Sequence, residues 1–202
     1  MLGHRFANAA RASMASWRLW LLCAMCGVLA ACASPKPVGG DEDAYSFSRT
    51  GRFALRIEDP TAQPEAVQGG FAWRDEGRRL VLDLANPFGS TLARVETDAN
   101  GARLTRANGE VIVAPNPDAL VADVLGSDIP VSGLRDWLRG RLADQPEASQ
   151  IQRDDTGRPI AFTQGGWQAK LSRYDAAGPQ LLVLERSEAG RRIVVRLVVD
   201  AS

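Results

Sequence analysis

The residues able to do chemistry are few, and they are poorly placed for catalysis. The chain has one histidine, His4, and three cysteines, Cys23, Cys26 and Cys32, all within its first 32 residues. The body of the chain therefore cannot assemble a Ser-His or Cys-His pair, nor a His/Cys metal cluster. Ser90, in Phe88-Gly89-Ser90-Thr91, lacks a base and the Gly-x-Ser-x-Gly spacing of a hydrolase elbow. The adjacent acids Asp75-Glu76 and Asp154-Asp155 fall in expected turns and read as solvated. No Gly-x-x-x-x-Gly-Lys loop is present to cradle phosphates. The reading is of a chain that is not an enzyme and takes no metal or cofactor.

The cysteines suggest chemistry of another kind. Arg5, Arg11 and Arg18 precede an uncharged, mostly apolar run from Leu19 to Ala31. That run is short of the roughly 20 residues a spanning helix needs, so residues 1–31 read as a cleaved secretory signal. Cys23 and Cys26 lie inside it, so Cys-x-x-Cys is not a redox or metal motif here. The run ends in Leu29-Ala30-Ala31-Cys32, which resembles the lipobox of bacterial lipoproteins. There the cysteine thiolate receives a diacylglyceryl group, cleavage falls just before it, and the new amine is acylated. Several acyl chains on Cys32 give stable anchoring where one would be marginal. Ala33, not Asp, follows the cysteine, which implies sorting to the outer membrane of a Gram-negative bacterium. Residues 32–44 then form the lipidated terminus and a tether rich in Pro, Gly and acids.

Charge argues against nucleic acid. Net charge is zero overall, and removing the first 31 residues leaves 21 basic against 24 acidic residues. That balance gives no electrostatic footprint for a polyanion.

From residue 45 to 202 the pattern becomes that of a folded, mainly β (α+β) domain. Phe53, Leu55 and Ile57 alternate with Arg52, Arg56 and Glu58. Further strands are expected over Val67–Arg74, Arg79–Leu84, Thr91–Glu96, around Leu104, over Val111–Val113, near Ile151, and over Ile160–Gln164, Trp167–Tyr174, Gln180–Arg186 and Arg191–Asp200. Asn100-Gly101 and Asn108-Gly109 mark hairpins. The pairs Gly69-Gly70 and Gly165-Gly166 are expected at bulges or bends. Midway, Asn116-Pro117-Asp118 predicts a helix start that Gly126 ends, and Pro130 to Gly140 predicts a second short helix capped by Ser132. The expectation is one strongly bent antiparallel sheet with the helices on its concave side.

One turn stands out. Asn86-Pro87-Phe88-Gly89 joins two strands, with Pro87 and Gly89 as turn formers, yet it carries a large apolar ring where water is expected. Either Phe88 folds back onto the core, or it is held out to enter a membrane or another protein's apolar patch.

In order along the chain, the lipobox at Cys32, Gly51-Arg52-Phe53-Ala54, Gly70-Phe71-Ala72-Trp73, Leu84-Ala85-Asn86-Pro87-Phe88-Gly89-Ser90-Thr91, Pro130-Val131-Ser132-Gly133-Leu134-Arg135-Asp136-Trp137-Leu138-Arg139-Gly140 and Gly166-Trp167 resemble the LolB family. These are outer-membrane receptors that accept lipoproteins from the periplasmic carrier LolA. The resemblance implies an incomplete barrel of about eleven antiparallel strands, with a short-helix lid over a hydrophobic cavity for acyl chains. It implies that the apolar residue of the Pro-x-Gly turn protrudes and helps deliver cargo into the bilayer; the family often has Leu where this chain has Phe88. Candidate acyl-cavity residues, taken from strand face and motif, are Phe53, Leu55, Phe71, Trp73, Leu82, Leu134, Trp137 and Leu138. Arg135 and Arg139 are candidates for docking a LolA-like carrier electrostatically. The other expected partners are cargo acyl chains and outer-membrane lipid, with the protein a monomer facing the periplasm. The alternative is an accessory outer-membrane lipoprotein that binds a protein partner through its sheet.

Overall fold

The computed structural model describes residues 46–125 and 129–201, so the signal-like segment, Cys32, the tether and Gly126 lie outside the described residues. Eleven strands form one sheet: β1 Phe47–Glu58, β2 Glu65–Asp75, β3 Leu80–Ala85, β4 Thr91–Asp98, β5 Gly101–Arg106, β6 Val111–Ala114, β7 Ser149–Arg153, β8 Pro159–Gln164, β9 Trp167–Tyr174, β10 Pro179–Glu188 and β11 Arg191–Val199. Helices α1, Pro117–Leu125, and α2, Val131–Trp137, fall between β6 and β7.

The spatial order is β6-β5-β4-β3-β2-β1-β11-β10-β9-β8-β7. The first and last strands pair antiparallel at the centre, from Gly51 opposite Val199 to Glu58 opposite Arg192. Every other neighbour is a sequential antiparallel pair, so the sheet is a meander joined through its own ends, with β6 and β7 left as edges. This is the mainly β antiparallel architecture that the patterning predicts, with the eleven strands and unclosed sheet that the family resemblance implies. Among the described residues no helix is long and apolar enough to cross a membrane.

Period-two alternation makes one face of the sheet apolar. Leu55 and Ile57 on β1, Phe71 and Trp73 on β2, and Ile193, Val195, Leu197 and Val199 on β11 are all buried. Side chains of this size each gain about 1.5–3 kcal/mol from leaving water. The helices cover this face in two places. Leu120 of α1 packs against Ala93, Val95, Ala102 and Leu104, while Val131, Leu134 and Trp137 of α2 and Leu138 beyond it join the larger cluster on β1, β2 and β8–β11.

Three local details differ from expectation. The β1–β2 register runs unbroken through Gly69 and Gly70, so they make no bulge; a Cβ on Gly69 would lie 1.9 Å from the Ala85 carbonyl oxygen, and close backbone approach is the requirement there. Gly165 and Gly166, at φ +58 and +79, form the two-residue turn of the β8–β9 hairpin. Asn116 caps α1 as predicted, accepting the Ala119 N–H at 2.8 Å. Ser132, by contrast, does not cap α2: the helix starts at Val131, and the Ser132 N–H donates to Asp118 Oδ1 at 2.9 Å. The first helix thus supplies the acceptor for the second.

Candidate functional site

The β3–β4 connection is built by Asn86. Its side-chain Oδ1 accepts the backbone N–H of Phe88 at 2.9 Å and of Ser90 at 3.0 Å. Its carbonyl accepts the Gly89 N–H at 2.9 Å, and its own N–H donates to the Ser90 carbonyl at 2.9 Å. Gly89 takes φ +88, which a side chain would strain. A register shift follows, with Ala85 opposite Thr91 and Leu84 opposite Ala93, so Leu92 is the extra residue. These constraints hold Pro87 and Gly89 exposed and place the Phe88 ring 94% exposed. Of the two orientations the sequence left open, the ring stands out into solvent. Leu92 is also exposed, and so is Val67, on the part of β2 that runs past the end of β3.

The interior candidates converge. Leu55, Phe71, Trp73, Leu134, Trp137 and Leu138 are buried in one apolar cluster, and Phe53 and Leu82 pack half-buried against it. Trp137 meets Phe162 edge-on at 5.4 Å. Its indole N–H donates to Gln164 Oε1 at 2.8 Å. Gln164 is 2% exposed, and its Nε2 donates to the carbonyls of Ala143 and Pro146, each at 2.7 Å. The Trp73 indole nitrogen is also buried but has no hydrogen-bond partner. A recess of about 350 Å³ lies between the start of α2 and the β8–β9 turn, with Ile129, Pro130, Gly133, Trp137, Pro146 and Trp167 among its walls.

The structure places Arg135 and Arg139 on Asp75. Arg135 Nε and Nη2 donate to the two carboxylate oxygens at 2.8 and 2.5 Å, and Arg139 Nη1 donates to Oδ2 at 2.6 Å. Arg135 also reaches the Gly77 carbonyl, whose residue in turn donates its N–H to Asp75 Oδ1 at 3.0 Å. The Arg139 guanidinium lies over the Phe47 ring at 4.1 Å. Asp75 is 1% exposed at the end of β2, which corrects its reading as a solvated turn acid. Burial alone would push its carboxyl up, but the hydrogen bonds from Arg135 and Arg139 outweigh that and hold it below the usual carboxylate range. The same contact raises Arg135. The two arginines thus fasten α2 to the sheet, with 38% of the Arg135 side chain left exposed.

Sequence reasoning missed Gln164, Phe162 and Asp75. The period-two pattern marks Phe162 and Gln164 as sharing a face of β8, but nothing local shows that a polar residue there is buried. A second long-range ion pair, buried Arg49 with half-buried Asp175 at 2.8 Å, was equally silent. Among the described residues no group of three His, Cys, Asp or Glu side chains converges as a metal site would.

Comparison with known proteins adds the lineage. The family model described as "LolB: Outer membrane lipoprotein LolB" matches residues 45–201. A protein named outer-membrane lipoprotein LolB from Bordetella petrii is 57% identical over 173 residues, covering 86% of this chain and 87% of its own. Its namesake from Bordetella pertussis is 59% identical over 174 residues, covering 85% and 86%. One from Cupriavidus necator is 39% identical over 179 residues, covering 86% and 90%. A solved LolA superfamily protein from Nitrosomonas europaea aligns loosely, at TM-score 0.38 and 11% identity, over 77% of this chain and 87% of that one.

Proposed function

The chain belongs to the LolB family of outer-membrane lipoproteins, and from that premise we propose that it is a receptor anchored in the outer membrane through lipidated Cys32. It faces the periplasm, accepts acylated lipoproteins from a LolA-like carrier, and inserts them into the inner leaflet. The observation that carries this reading is the Phe88 ring, 94% exposed on a loop that Asn86 fixes from four sides.

The task is physical, not chemical. Each acyl CH₂ moved from water to an apolar site gains about 0.8 kcal/mol, so a greasier or roomier interior draws cargo from the carrier without a nucleotide. Phe53, Leu55, Phe71, Trp73 and Leu82 on the strands, with Leu134, Trp137 and Leu138 at α2, provide that interior. The recess beside Trp137 and Trp167 is the route in. Carrier docking falls to the exposed part of Arg135, with Arg139 behind it. Phe88 then enters the bilayer, where burying its ring gains about 1.5–3 kcal/mol, and opens a path for the acyl chains.

The test uses the chain starting at Ala33, which holds every described strand and helix. It is titrated with a fluorescent triacylated peptide and with the same peptide unacylated. Saturable binding of the acylated form alone is expected. Equal binding or none would remove the acyl site and favour a scaffold that holds a protein partner through its sheet.

A further inference from the structure

Trp73 lies on the inner face of β2 with Phe71 and Asp75, 2% exposed, opposite Leu82 on β3 and Arg49 on β1. Its Nε1–H has no partner. Buried indoles ordinarily find an acceptor, because an unmet donor in an apolar interior is a standing penalty. Phenylalanine would fill much of the same space without it. The contrast within this protein is direct: the Trp137 N–H is met by Gln164 at 2.8 Å, and Gln164 spends its remaining capacity on Ala143 and Pro146.

The polar side chains flanking Trp73 on this face are already engaged. Asp75 serves Arg135, Arg139 and Gly77. Arg49 serves Asp175 and the Pro179 carbonyl. Trp73 belongs to the apolar cluster that also holds Leu55, Phe71, Leu134, Trp137 and Leu138. The group that suits the donor is an acceptor carried on an apolar chain.

We propose that the Trp73 indole N–H is the hydrogen-bond donor that recognises the carbonyl of a bound fatty-acyl ester or amide. This rests on the receptor reading above and deepens it. Apolar side chains hold the hydrocarbon without fixing its depth, since every CH₂ resembles the next. One buried donor sets a register, stopping the chain where its carbonyl meets Trp73. Arg135 of α2 and Arg139 just beyond it bond Asp75, two residues along β2 from Trp73, so on this proposal the helix yields there to admit the carbonyl.

The experiment compares two diacylglyceryl-cysteine peptides of equal chain length, one ester-linked and one ether-linked, on the chain starting at Ala33 and on its Trp73→Phe variant. The ether probe keeps the hydrocarbon and loses the carbonyls. The expected result is a preference of about three- to tenfold for the ester probe, which Trp73→Phe abolishes by weakening the ester probe alone. Equal affinity of the unaltered chain for both probes overturns the proposal without touching the receptor reading, and needs no variant. A Trp73→Phe chain that keeps the ester preference also overturns it, as does an ordered water on Nε1 in a crystal structure of the protein. Failure of both probes to bind overturns the receptor reading and this proposal with it. The urea midpoint of Trp73→Phe is expected to fall only modestly, because the smaller ring leaves a cavity while no hydrogen bond is lost.

Discussion

The Asn86 side chain accepts the Phe88 backbone N–H at 2.9 Å, while the Phe88 ring stands 94% exposed. The polar residue that fixes the loop and the apolar residue it displays are two positions apart. Hydrogen bonding inside the loop satisfies the backbone without help from the ring. The ring is therefore free of any structural duty and open to a functional one.

Phe88→Glu should leave acyl-peptide binding and the urea midpoint unchanged, since the ring touches little in the fold. Transfer of lipoprotein into liposomes should fall roughly ten- to hundredfold, the equivalent of the ring's apolar burial. Phe88→Leu should retain most of the transfer. A parallel loss of binding and transfer would mean that the residue supports the interior.

Asn86→Ala removes the acceptor for two backbone N–H groups. Both lie at an exposed loop where water can replace it, so the loss in stability should be about 1 kcal/mol. Transfer should drop more than stability does, because Phe88 would no longer be held at one angle. Solvent exchange of the Phe88 and Ser90 amides, followed by NMR, should rise in the variant. Unchanged exchange would show that the carbonyl and Gly89 suffice to hold the loop.

Asp75→Asn should lower stability by about 2–3 kcal/mol, somewhat under the usual figure for breaking a buried pair because Arg135 is 38% exposed. Exchange of α2 amides should rise while the β11 amides stay protected. The carboxylate is faced by Arg135 from α2, by Arg139 just past its end and by the Gly77 N–H, and its folded pKa lies below the usual value. A depressed pKa gives stability that is complete above the unfolded-state value of about 4 and lost as pH falls through the folded value. The gap in urea midpoint between the two chains should therefore be flat from pH 7 to about pH 4.5 and narrow below it. A gap that narrows near neutrality would point to another group.

Gln164→Ala leaves the Trp137 indole N–H, the Ala143 N–H and the Ala143 and Pro146 carbonyls without their partner. Several buried groups lose hydrogen bonds at once, so a loss of about 2–4 kcal/mol is expected, read from urea denaturation. The near-ultraviolet circular dichroism of the tryptophans should change as well. Gln164→Glu keeps an acceptor for Trp137 but buries a carboxylate against the Ala143 and Pro146 carbonyls, so at neutral pH it should cost at least as much as Gln164→Ala.

Much of the architecture was written locally. The alternation of Phe53, Leu55 and Ile57 with Arg52, Arg56 and Glu58 marked β1. Asn116-Pro117-Asp118 marked the start of α1, because cap, fixed φ and first-turn acid all act within four residues. The Phe88 turn was visible for the same reason, since Pro87, Gly89 and Asn86 shape only their neighbours. The apolar face followed from side-chain direction, so the interior candidates fell in one cluster.

What tertiary structure decided were the polar contacts made at distance. Asp75 looked like a solvated turn acid because its arginines lie 60 and 64 residues further along. Arg135 and Arg139 looked free for a partner because their acceptor sits at the end of β2. Ser132 looked like a cap, but the acceptor at its end of α2 comes from Asp118, 14 residues earlier. Gln164 and the unmet N–H of Trp73 are invisible to patterning, which distinguishes apolar from polar but not satisfied from unsatisfied. Local sequence sets backbone conformation and the inward face. Whether a polar atom is buried with a partner depends on which distant strand or helix lies against it, and the sheet order that brings Asp75 under α2 and Trp137 onto Gln164 is a property of the whole fold.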